Sequence, residues 1–173
     1  MLVTMFTDSS FSQRIGRATW AAWAKADGLT SRWSGPVKSP VTQSGDGELA
    51  AIANGLYHVV KYLSPSAGSK IIIQTDSQEA IDALKRRYHV RRYAQMTVGY
   101  IHNHAAKHGL ILDLRHVKGH RADEDRRAAV NTWCDRQCRM EMGKLLADFY
   151  AKKIEDAFPA SPGFALGLPL ASP

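Results

Sequence analysis

The sequence predicts an α/β fold, with one mixed sheet and helices on both of its faces. Three observations carry this. The hydrophobic pattern opens with three strand-like segments and only then shifts to helical spacing. Apolar runs and helical stretches follow in turn, giving the order β-β-β-α-β-α-α-β-α. The run KIIIQT at 70–75 is continuously apolar, as in a strand covered on both faces. A meander of three antiparallel strands followed by two strands reached through helices makes a five-stranded sheet, antiparallel first and then parallel.

Residues 2–7 (LVTMFT) are rich in β-formers and are expected to end at the turn-like cluster Asp8-Ser9-Ser10. Residues 18–25 and 30–34 read as the second and third strands, joined at Asp27-Gly28, a hairpin pair. Gly35-Pro36 closes that run, and 42–47 (TQSGDG) reads as a loop. Over 48–63, Leu49, Ile52, Leu56, Val59, Val60 and Leu63 fall on one helical stripe, stopped by Pro65 and Gly68. After the strand at 70–75, Asp76-Ser77 stands at an N-cap and a helix follows over 77–87. A further helix is expected over 93–108 with Met96, Tyr100 and Ala105 inward. Leu110, Leu112 and Leu114 alternate as a strand over 110–116. Residues 124–156 read as helix, with a break at Gly143. The domain is expected to span 1–157. The stretch 158–173, rich in Pro, Gly and Ser and without charge, is expected to be a disordered tail.

Length and composition suit one domain with a real core: 173 residues, 45% hydrophobic and 23% charged. Lys and Arg outnumber Asp and Glu by 23 to 16, a net charge of +7, which favours polyanionic partners. No apolar run is long enough to span a bilayer, and MLVTMFTDSS lacks the basic start of a signal peptide. Cys134 and Cys138, four apart on a helix, form no disulfide framework and fit a reducing cytoplasm. The chain is expected to act as a monomer.

Four acids stand out by position. Asp8 follows the first strand, Glu48 opens the first helix, Asp76 follows the buried strand, and Asp135 lies on the last helix. Each has an ordinary role available: a turn, a first-turn helix acid, an N-cap, a surface pair with Arg136 or Arg139. Ligand sites of α/β sheets, however, lie beyond the carboxyl ends of strands. Carboxylates crowded there repel unless a cation lies between them, and an all-oxygen set suits Mg²⁺ or Mn²⁺. A pair of such ions about 4 Å apart can activate water and stabilise a leaving oxygen.

Five motifs in this order, FTDSS (6–10), GELAA (47–51), TDSQEA (75–80), HVKGH (116–120) and NTWCD (131–135), resemble type 1 ribonuclease H. The resemblance covers about residues 1–140 and implies the ribonuclease H-like mixed sheet. It implies an endonuclease that cuts the RNA strand of RNA–DNA hybrids, leaving 5′-phosphate and 3′-hydroxyl ends. It further implies two Mg²⁺ ions held by Asp8, Glu48, Asp76 and Asp135, with Asp8 bridging them. His120 would be the active-site histidine, moving protons or aiding product release. Asn131, four residues before Asp135, and Gln78, near the hybrid's minor groove, also match. This chain departs from the family pattern in its Asp8-Ser9-Ser10 and in a long loop after His120. It also lacks room between Asp76 and His120 for the basic protrusion of bacterial members. Lys85, Arg86, Arg87, Arg91 and Arg92 would then supply part of the grip on DNA.

Selection for RNA must read the 2′-hydroxyl. The expected contacts are Glu48, Gln78, Thr42, Gln43, Ser44 and the backbone at Ser9 and Ser10, with Arg17 and Thr42 on the DNA phosphates. Two alternatives keep the fold: a nuclease acting on DNA, against which VKGH argues, or a hybrid-binding module without catalysis. A third is a zinc site from His116, His120, Cys134 and Cys138. Of the aromatic residues, Trp20, Trp23, Trp33 and Trp133 are expected to pack, while KRRYHVRRY (85–93) could track a phosphate backbone.

Overall fold

A computed structural model of the chain describes residues 1–86, 92–117 and 126–157. Within these, β1 (Leu2–Ser12), β2 (Arg17–Ala26), β3 (Leu29–Pro36), β4 (Lys70–Thr75) and β5 (Ile111–His116) form a sheet in the order β3-β2-β1-β4-β5. The first three strands are antiparallel, whereas β4 runs parallel to β1, and β5 to β4. Around the sheet lie α1 (Ser44–Leu63), α2 (Gln78–Arg86), α3 (Arg92–Lys107) and α4 (Arg126–Ala157).

Period-2 alternation in β1 sorts the two faces. Val3 and Met5 join Ile71 and Ile73 against Leu49, Ile52, Leu56 and Val59 of α1, and α3 adds Val98 and Ile101. Ile52 and Leu56 are fully buried, and each such side chain stabilises the fold by about 1.5–3 kcal/mol. On the opposite face Phe6 and Ala21 meet Cys134 and Cys138 of α4. Helices therefore cover both faces, as the element order implied. Asp27 and Gly28, both at positive φ, make the two-residue turn between β2 and β3.

Several boundaries differ from the sequence reading. β1 does not stop at Asp8-Ser9-Ser10 but continues to Ser12, because Ser9–Ser12 pair with Arg17–Trp20. Ladder hydrogen bonds there outweigh the turn preference of short polar residues. Residues 44–47 belong to α1 rather than to a loop. Gly47 is there for contact and not for flexibility, since a Cβ on it would lie 2.9 Å from Ser9 Oγ. The inward stripe of α3 is Ala94, Val98, Ile101 and Ala105; Met96 and Tyr100 face solvent. Ala105 is buried as expected. Helix α4 runs unbroken through Gly143, whose cost of about 1 kcal/mol is small beside the packing of buried Met142. The cap of α2 is Ser77, whose Oγ accepts from Ala80 N at 3.2 Å. The expected tail at 158–173 lies outside the described residues.

Candidate active site

Strand register brings the first two acids together. β1 and β4 pair in parallel from Leu2–Lys70 to Phe6–Gln74. Two residues further along each chain come Asp8 and Asp76. β1 outruns β4 and continues paired with β2 alone, so Asp8 is mid-strand toward Ala21 yet past the end of β4. Glu48 reaches the same point from the first turns of α1, which a side chain larger than hydrogen at position 47 would hold away. Carboxylate oxygens of Asp8, Glu48 and Asp76 all lie within 4.8 Å of one another. Asp8 and Glu48 are buried, 6% and 8% exposed, and Asp76 is half-buried.

Burying like charges together is costly, and the acids record it. Burial, then the charge of Asp76, pushes the Asp8 carboxyl up to about 7, against the opposing Ser9 N–H, which donates to Oδ1 at 2.7 Å. Burial, then Asp8, pushes Glu48 up to about 8, although Ser9 Oγ donates to its Oε1 at 2.6 Å. Glu48 Oε2 is buried and has no hydrogen-bond partner among the described residues. An acceptor left in this state, in a trio of hard oxygens, fits a divalent cation better than any group the protein offers.

Asp135 stands beside this trio, not in it: its Oδ1 accepts from Arg139 Nε at 2.9 Å. Its charge nevertheless helps raise Asp8. α4 is tied to β1 beneath the site. Cys138 Sγ donates to the Asp8 carbonyl at 3.0 Å, and Thr19 Oγ1 donates to the Cys138 carbonyl at 2.7 Å. Burial pushes both thiols above their usual range, so they stay protonated and unreactive. The zinc reading fails here: the sulfurs face backbone carbonyls of Phe6 and Asp8, and exposed His116 meets the Asp76 carbonyl through Nε2 at 3.0 Å. His120 lies outside the described residues.

The remaining expected contacts lie on several different elements. Ser10 is half-buried in the ladder opposite Thr19. Thr42 Oγ1 and Gln43 Nε2 donate to Asp46, at 3.0 and 3.5 Å, and exposed Ser44 begins α1. Gln78 donates to Asp82 at 3.1 Å. Arg17 is exposed at the start of β2, its Nη1 3.4 Å from the Lys38 carbonyl. Lys85 is exposed at the end of α2, whereas the side chain of Arg86, and all of Arg87 and Arg91, lie outside the described residues. Asn131 is buried one turn before Asp135, with Oδ1 unpartnered among the described residues. The sequence reading missed Thr19 and Cys138 as supports of Asp8. The four-residue spacing of Cys134 and Cys138, one helical face, was the available signal.

The RNase H family model matches residues 2–142, and the chain belongs to that family. Solved structures of the same fold agree. The N-terminal RNase H domain of a Mycobacterium tuberculosis protein is 17% identical, covering 85% of this chain and 97% of that one at a TM-score of 0.65. RNase H1 from Halobacterium salinarum is 13% identical, covering 83% and 99% at 0.65. LC11-RNase H1, solved in complex with an RNA/DNA hybrid, is 15% identical, covering 83% and 99% at 0.67. Comparison with curated protein sequences finds no match.

Proposed function

We propose that this chain is an endonuclease that hydrolyses the RNA strand of RNA–DNA hybrids, dependent on a divalent metal and leaving 5′-phosphate and 3′-hydroxyl ends. The observation that carries the reading is the trio Asp8, Glu48 and Asp76, two of them buried, with an oxygen of each within 4.8 Å of the others and Glu48 Oε2 without a hydrogen-bond partner among the described residues. Membership of the RNase H family and the hybrid-bound LC11-RNase H1 support the choice of substrate. Asp8, Glu48 and Asp76 would hold Mg²⁺, or Mn²⁺ in its place, and Asp135 would complete a second position. When bound, such ions supply a lowered water pKa and charge stabilisation at the scissile phosphate. His120 would carry protons, its ordinary pKa of about 6.5 suiting that task. Ser9, Ser10, Thr42, Gln43, Ser44, Gln78 and Asn131 would position the hybrid, with Arg17, Lys85 and Arg86 on phosphates. The reducing cytoplasm is the proposed setting, with residues 1–157 acting as one monomeric domain.

Asp8→Asn is the direct test. It keeps the size of the side chain and removes a charge that only a cation can balance. The variant should bind labelled hybrid about as the parent does, yet release no product with Mg²⁺. Cutting at the parental rate would end the assignment.

A further inference from the structure

Acidic residues are distributed unevenly in this chain. Of the 16, none lies between Leu49 and Thr75 and none between Ala83 and Leu112. Those two acid-free stretches contain α1 from Leu49 onward and the whole of α3, which pack against each other. Their solvent side holds a connected set of rings. Tyr100 stacks on His104 at 5.3 Å and 15°, and His104 meets Tyr57 at 6.2 Å. Tyr62 stacks on Trp33 of β3 at 6.0 Å and 22°. Lys61 Nζ lies over the rings of both Tyr57 and Tyr62, 5.8 and 5.1 Å from their centroids. Tyr57, Tyr62 and Tyr100 are between 43% and 55% exposed, far more than core packing requires.

We propose that this face of α1 and α3 is a second nucleic-acid surface, a stacking platform for unpaired bases of a single strand. Ring faces accept any base, and the absence of carboxylates with Lys61 at the centre suits a phosphate backbone. A pocket of about 270 Å³ between α1 and α3, lined among others by Lys38, Asn54, Tyr93 and Tyr100, adjoins the ring face at Tyr100. Along α1, Tyr57 and Tyr62 lie roughly 14 and 21 Å beyond Glu48 at 1.5 Å per residue. That is about four to six nucleotides at the 3.4 Å rise of a stacked strand. A single-stranded extension of a duplex held at the carboxylates would thus be long enough to reach the rings. The aromatic chemistry does not distinguish RNA from DNA, so both are expected to bind.

The test is fluorescence anisotropy of the full chain in EDTA with a labelled thymidine oligonucleotide and, separately, a uridine oligonucleotide. Tyr57→Ala with Tyr62→Ala should weaken both by about 10-fold or more, since each stacked base contributes roughly 1–3 kcal/mol. Tyr57→Phe with Tyr62→Phe, which keeps the rings, should stay within about two-fold of the parent. Lys61→Gln should reduce the salt slope by about 0.7, one phosphate contact on a single strand. Alanine variants that bind both oligonucleotides like the parent, or phenylalanine variants that lose as much as the alanines, would overturn the proposal. Blunt-ended hybrid should be cut at the parental rate by the alanine pair. If the parent cuts no hybrid at all, the hydrolytic reading fails while the oligonucleotide titration still decides this one.

Discussion

Ser9 touches both buried acids, with its N–H on Asp8 and its hydroxyl on Glu48. Each bond favours the ionised carboxylate against the burial that opposes it. Glu48 already leaves Oε2 unpartnered among the described residues. Ser9→Ala would remove the partner of Oε1 as well, at a cost of about 1–3 kcal/mol for an unsatisfied buried group. With the bond gone, Glu48 holds its proton more tightly, and that proton must leave before a cation binds. Thermal melting should show a fall of roughly 2–10 °C for the variant. A Mg²⁺ titration of the same melts should show a midpoint at higher metal concentration. An unchanged midpoint would mean that Ser9 does not tune the carboxylates.

At the scale of elements, the site depends on how closely α1 lies on β1 and β2. Gly55 sets that distance further along the helix: a Cβ there would stand 2.9 Å from Met5 Sδ, 3.1 Å from Ala22 Cβ and 3.2 Å from Thr7 Cγ2. The neighbouring strands are pinned by their ladders and cannot yield freely. Gly55→Val should therefore wedge the helix outward, with overpacking costing about 1–3 kcal/mol. The expected readout is a melting temperature lower by at least about 3 °C. A variant as stable as the parent would show that α1 has slack against the sheet. α4 approaches from the other face, held by Thr19 and Cys138 at the carbonyl end of the same strand segment. The acids are thus fixed from both sides of the sheet.

Across the whole molecule, the buried acids make stability depend on pH. Asp8 and Glu48 titrate near 7 and 8 when folded but near 4 when unfolded. Between about pH 4 and pH 8 the folded state therefore binds more protons, and stability of the metal-free protein falls as pH rises. Below about pH 4 both states are protonated and the term vanishes. The half-buried Asp113 acts in the other direction and in another window. Its pairing with Arg115 and Lys70 holds it down at about 2, so its contribution is lost only as pH falls below the unfolded value. Melting temperatures in EDTA should decline from pH 5 to pH 8, and Mg²⁺ should offset the decline most at pH 8. Glu48→Gln should flatten the slope, and an equally steep slope in that variant would rule out the buried Glu48 carboxyl as a source of the decline.

The pattern of apolar residues alone determined the element order, the mixed sheet and the four acids worth attention, because burial of one face imposes a period of 2 or 3.6 on any chain. KIIIQT and the α1 stripe were legible for that reason. Element ends were less so: Ser9–Ser12 and 44–47 have turn-like composition, and only pairing with β2 and contact across Gly47 make them strand and helix. The orientation of α3 likewise depended on α1, whose packing selects the Ala94–Val98–Ile101–Ala105 stripe over Met96 and Tyr100. Tertiary structure alone decided which acids converge. Parallel register sets Asp8 beside Asp76, helix docking adds Glu48, and Asp135, paired with Arg139, stands outside the trio. Proximity, burial and the missing partner of Glu48 Oε2 are properties of distance between segments, and local sequence does not encode them.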